Sequence, residues 1–160
     1  MTDTPEPPPC LAKHVVQYEE VAVALRSRSD AECGHGASEA AIRAAESSLG
    51  TFPVDYRAFL RDFGWTSFGS TEIAGLGEDV PWPHMDVVRV TLDERERGGL
   101  PSNLITFYSD GGGNLECVET GAGAVPDGVV FCFFHENRRL YRDAESFSDF
   151  LARELADESP

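Results

Sequence analysis

The chain has 160 residues and a formal net charge of -15, from 28 Asp and Glu against 13 Lys and Arg. That length favours one domain burying about 70% of its unfolded surface, enough for a core without disulfides or metals. The charge disfavours nucleic-acid backbones and anionic membranes as partners and attracts basic ones, although acidity also serves solubility alone.

Residues 1–9 carry Pro5, Pro7, Pro8 and Pro9, which favour extended chain, and they read as a loose tail. They lack the basic start and apolar run of a secretory leader, and no later stretch is apolar enough to cross a bilayer, so a cytoplasmic location is expected. Leu11, Val15, Tyr18, Ala22 and Leu25 follow helical spacing and predict a first helix over residues 11–26. A polar linker, residues 27–36, follows. Ser38 can cap a second helix whose apolar stripe is Ile42, Ala45 and Leu49, and Gly50 stops it. Pro53 suits a first helical turn, and Tyr56, Phe59, Leu60 and Phe63 mark a third helix ending at Gly64.

After Gly64 the period changes. Residues 70–76 read as a strand and residues 78–84, with Pro81 and Pro83, as a loop. Residues 85–94 fit strand or helix, and the following run of charge favours helix. Strands are expected over residues 103–108 and 115–119, with the turn Asp110-Gly111-Gly112-Gly113-Asn114 between them. Residues 128–134 are apolar on both faces, as in a central strand, and residues 139–142 suit a short edge strand. Ser146-Phe147-Ser148-Asp149 has the form of a capping box, and Phe147, Phe150, Leu151 and Leu155 continue a last amphipathic helix. Helices, then strands joined by tight turns, then a helix predict an α+β fold: an antiparallel sheet with helices packed on one side.

The sequence offers no convincing catalytic constellation. Cys10 with His14, Cys33 with His35 and Cys132 with His135 lack the paired spacing of structural zinc sites. No Ser lies in a Gly-x-Ser-x-Gly elbow. Cys117 has Glu116 and Glu119 nearby, which discourage a thiolate, and Cys132 lies in an apolar run. The glycines 111–113 lack the Lys and following helix of a phosphate loop. Arg138, Arg139 and Arg142 form the one basic cluster and read as a charged edge that blocks aggregation. Trp65, Phe68 and Trp82 either anchor a partner or cover the end of the sheet. No catalytic residue, metal or cofactor is expected.

The string Glu46-Ser47-Ser48-Leu49-Gly50-Thr51-Phe52-Pro53-Val54-Asp55-Tyr56-Arg57-Ala58-Phe59-Leu60 resembles the signature of the SUKH superfamily, which includes the cell-wall-assembly-regulator type and many bacterial immunity proteins. Residues 105–108 with the following glycine turn, and Ser146-Phe147 with Phe150-Leu151, resemble its later strands and closing helix. Phe63-Gly64-Trp65 stands where many members have an Asn-Gly type turn. The division expected is a tail over residues 1–9, an added helix and linker over 10–36, and a single SUKH-like domain over 37–157. The resemblance implies a scaffold without catalytic residues that binds and neutralises a toxin domain, often a nuclease. A regulatory interaction scaffold is the alternative. The Arg-over-Lys bias, with Lys13 the sole Lys, suits a bacterium with GC-rich DNA.

The acidity independently suits a basic toxin cleft. Glu72, Glu78, Asp79, Glu116 and Glu119 are the candidate charges, with Trp65 and Trp82 as candidate anchors. Leu115 and Cys117 share a strand face read as core, so Glu116 is expected on the open face. Thiol titration of the denatured chain should find all four cysteines free, and elemental analysis no stoichiometric metal. One zinc per chain would overturn that reading.

Overall fold

The computed structural model describes residues 15–121 and 128–158. The proline-rich tail, Cys10 and the expected start of the first helix at Leu11 lie outside the described residues. The elements run α1 (Tyr18–Arg26), β1 (Glu32–Cys33), α2 (Glu39–Leu49), α3 (Val54–Asp62), β2 (Thr66–Phe68), β3 (Thr71–Ile73), α4 (Val87–Asp93), β4 (Leu104–Ser109), β5 (Leu115–Glu119), β6 (Val130–Phe134), β7 (Arg139–Ala144) and α5 (Phe147–Asp157). A 3-10 turn (Pro83–Met85) precedes α4, and a π turn (Glu94–Gly98) extends it.

Local chemistry sets the helix ends. Ser38 Oγ accepts from the Ala41 N–H at the start of α2, and Ser146 Oγ from the Asp149 N–H at the start of α5. Each serves a donor that a helix start leaves without an internal partner. Gly50 ends α2 at φ 105°, which an L side chain rarely adopts. Arg57 then ties α2 to α3. It donates to Glu39 at 2.8 and 2.6 Å and to Glu46 at 3.2 Å, while Glu46 accepts from the Phe52 N–H at 2.9 Å.

The strands form two antiparallel sheets, ordered β1-β2-β3 and β4-β5-β6-β7. They are linked where the Ala74 N–H donates to the Phe107 carbonyl at 2.8 Å. One face of the larger sheet joins the main core through Ile105, Phe107, Val118 and Val130, beside Tyr56 and Phe59 of α3 and Phe147 and Phe150 of α5. A smaller cluster of Leu100, Leu104, Leu115, Cys117 and Phe133 is separate from this core. β6 lies between β5 and β7 as expected, and β7 is an edge strand.

Two polar devices clamp α3. The Asp55 carboxylate accepts from both the N–H and the hydroxyl of Ser148, each at 2.9 Å, in the first turn of α5. Tyr56 donates its hydroxyl to the Ala74 carbonyl at 2.8 Å, with its ring edge-on to Phe52 and Phe147.

Several elements differ from their sequence readings. The first helix begins at Tyr18, and Val15 is 70% exposed; Val21, Ala22 and Leu25 are the helix's buried residues, and Val16 and Tyr18 pack partly buried against the same core. The linker contains β1, which pairs with β2, so the segment before α2 shares both core and sheet with the rest. The strand expected over residues 70–76 is β3, over Thr71–Ile73 only, and it pairs across a turn at Gly69-Ser70 with β2, which the sequence reading does not expect. The ambiguous stretch before Asp93 is helical, capped by Asp86, which accepts from Val88 and Arg89 N–H.

Phe59→Ala should cost roughly 3–5 kcal/mol, the usual penalty for emptying a fully buried phenylalanine site. Asp55→Ala should cost about 2 kcal/mol or more, since each buried donor left without an acceptor costs roughly 1–3 kcal/mol. Urea unfolding of both variants measures this. A loss below about 1 kcal/mol for either would show that α3 is not clamped as described.

Candidate functional site

Where the two sheets meet, β3 continues into the Gly75-Leu76 step. Gly75 lies so close to Gly64 that a Cβ there would come within 1.6 Å of the Gly64 carbonyl oxygen. The chain then loops outward through residues 77–83, with Trp82 58% exposed between two prolines. This loop and the 3-10 turn contribute to two concavities.

The first is a cleft of about 480 Å³ bounded by β3, the 3-10 turn, α4 and β4. Met85, Val90, Phe107 and Leu115 supply apolar lining, and Glu72, Asp93 and Glu94 supply carboxylates. His84 Nε2 lies 3.1 Å from Glu72 Oε1, with both side chains exposed. The second concavity, of about 600 Å³, is lined by His35, Ser38, Leu76, Glu78, Asp79 and Asp86. Two of its carboxylates are held by the fold. Asp79 accepts from the His35 N–H at 2.9 Å and from the Trp65 indole at 3.2 Å. Burial opposes the Asp79 charge, but those donors outweigh it and hold the carboxyl below its usual range. Asp86 is the α4 cap.

The structure gathers Glu72, Glu78, Asp79 and Trp82 around this loop. Trp65 is only 7% exposed, and its indole N–H secures Asp79, so its role is to hold the loop and not to present a docking face. Glu119 is exposed at the end of β5, opposite Leu104, apart from the loop.

Glu116 requires a correction. It points away from Leu115 and Cys117 as alternation demands, but those two fill the smaller cluster, so Glu116 shares the face of Val118 and the α5 layer. Its carboxyl sits beside Asp143, Arg153 and Cys132 and is not an open charge; Oε2 is buried without a hydrogen-bond partner. Burial, a hydrogen bond to Asp143 and the Asp143 charge push it up to about 8. Arg153 answers Asp143 at 2.6 Å.

In the sequence, Asp93 and Glu94 begin a charge run that favours helix, and nothing local marks them as site residues. The available signal was their spacing three and four residues after Val90, which puts all three on one helical face. Among the described residues, no group of three or more His, Cys, Asp or Glu is arranged to hold a metal ion. No helix among them is long and apolar enough to cross a membrane.

A family model described as SMI1-KNR4 cell-wall, of the SUKH group, matches residues 15–156. The chain belongs to the SUKH superfamily. The match includes α1 and β1, in line with their place in the core. The crystal structure of a protein from Pseudomonas syringae pv. tomato shares the SUKH fold of this chain, with a TM-score of 0.67 and 24% identity, over 86% of this chain and 98% of that one. No curated protein matches.

The Glu116 carboxyl binds its proton more tightly in the folded chain than in the unfolded one. Its contribution is therefore fully present below the ordinary carboxyl range and is lost as pH rises through about 8. Urea unfolding at about pH 5 and about pH 8 should show a loss of stability that Glu116→Gln largely removes. Equal losses in both proteins would overturn this assignment.

Proposed function

We propose that this SUKH protein is a non-catalytic cytoplasmic immunity protein that binds and neutralises a toxin domain with a basic surface, a nuclease being the class that suits it best. The observation that carries the reading is the exposed Trp82 loop between two acid-lined concavities, in a chain of net charge -15. A basic cleft approaching this surface is steered by charge, and an exposed indole supplies the buried aromatic anchor that interfaces favour. Glu72, Glu78 and Trp82 are the residues proposed to meet the partner, Asp79 shapes the loop, and Glu119 adds to the long-range field. A regulatory scaffold for another protein is the second reading, favoured by the family description, which names the cell wall.

The test is co-expression with the toxin-like domain encoded beside this gene, followed by binding kinetics at two salt concentrations. The wild-type chain should protect the cell. Glu72→Lys combined with Glu78→Lys should slow association by roughly tenfold and flatten its salt dependence, because charge acts mainly on encounter. Trp82→Ala should instead speed dissociation. Full protection by all of these variants, with unchanged kinetics, would show that the partner docks elsewhere. A wild-type chain that protects against no neighbouring toxin would leave the regulatory scaffold in its place.

A further inference from the structure

We infer that the cleft between β3, α4 and β4 receives an arginine side chain of the partner, its guanidinium between Glu72 and Glu94 and its stem along the partly exposed Val90 and Tyr108. The inference rests on the reading of a basic protein partner and names how that partner is held.

The two concavities differ in how their acids are used. In the larger one, Asp79 and Asp86 already accept backbone and indole donors, so their charge is committed to the loop and to α4. In the cleft, Glu94 has no cationic partner among the described residues, and Glu72 meets only the exposed His84. Asp93 pairs only with Arg97, at 3.2 Å in an exposed i,i+4 contact of the kind solvent weakens. The cleft thus combines available negative charge with an apolar lining. That combination suits a long side chain whose stem is apolar and whose end is cationic.

Arginine fits better than lysine on two counts. A guanidinium is less strongly hydrated than an ammonium, and it stacks on rings while still pairing with carboxylates. Tyr108 lines the cleft and is partly exposed, whereas the Phe107 ring is fully buried among core rings. Among the described residues the same contact occurs three times: Arg26 over Phe63, Arg28 over Phe68 and Arg153 over Phe150, at 5.1, 5.0 and 5.3 Å from the ring centres. A volume of about 480 Å³ also leaves room for the backbone that carries the side chain.

The chain holds two methionines, Met1 and Met85, so methyl-labelled methionine gives a reporter inside the cleft. Capped tetra-arginine, tetra-lysine and tetra-glutamate are titrated in turn. The Met85 methyl signal should shift with tetra-arginine, require several-fold more tetra-lysine, and ignore tetra-glutamate. Glu72→Gln with Glu94→Gln should weaken tetra-arginine binding by roughly tenfold. Glu19→Gln with Glu20→Gln, which removes the same charge on the exposed face of α1, should change it by less than about twofold. A Met85 methyl unmoved at saturating tetra-arginine would overturn the inference. So would equal weakening by both variant pairs, which would make net charge the cause, or equal affinity for the arginine and lysine peptides. No toxin enters this experiment, so its failure removes the cleft assignment alone. Failure of cellular protection with peptide binding intact removes the immunity reading alone.

Discussion

The Asp55 carboxylate reaches from the start of α3 to the first turn of α5, where the N–H and hydroxyl of Ser148 both meet it at 2.9 Å. A buried carboxylate is costly unless its oxygens are satisfied, and a helix start supplies both free donors and the positive end of the helix dipole. The contact spans 93 residues of chain and so holds the first helical block against the last element. The neighbouring residue extends the clamp, because Tyr56 donates to the Ala74 carbonyl at the end of β3. Ala74 in turn donates to Phe107, which joins the two sheets. Arg57 completes the set by pairing with Glu39 and Glu46 of α2. The Asp-Tyr-Arg part of the SUKH signature is therefore a structural device: three consecutive side chains fix α2, α5 and the sheet junction relative to α3.

The junction that this clamp holds is also where the surface becomes concave. β3 and β4 are brought side by side by the Ala74–Phe107 bond, and α4 lies against β4 through Thr91, whose hydroxyl accepts from the Thr106 N–H. The loop between β3 and α4 projects from this junction with Trp82 at its exposed part. An acidic chain needs a rigid frame if its charges are to add up at one place and not spread over the whole surface. Here the frame is the same one that stabilises the fold. Partner choice can then vary through loop and cleft side chains with the clamp unchanged.

Many elements were legible in the sequence because they depend on neighbours a few residues apart. The Ser38 and Ser146 caps, the stop at Gly50, the turn at residues 110–114, the interior place of β6 and the edge place of β7 all follow from local hydrogen bonding, backbone conformation or the pattern of apolar side chains. The short strands β1 and β2 were not legible. Each has only two or three residues, too few for alternation to show, and they exist because Cys33 and Thr66, far apart in the chain, pair.

The candidate site divides along the same line. Glu72, Glu78 and Trp82 could be read as exposed from their strand and loop settings, and the structure leaves them exposed. Trp65 could not, because its burial depends on segments distant in the chain, with Gly34 close against the ring and Asp79, fourteen residues away, accepting from its indole. Alternation correctly placed Glu116 opposite Leu115 and Cys117, but it cannot say which face of a sheet the helices cover when both faces carry apolar side chains. The sequence by itself determined the fold family, the caps and turns, and the excess of negative charge. Only the tertiary structure decided which carboxylates are committed to the fold and which face a cleft, because that depends on long-range packing that no local pattern encodes.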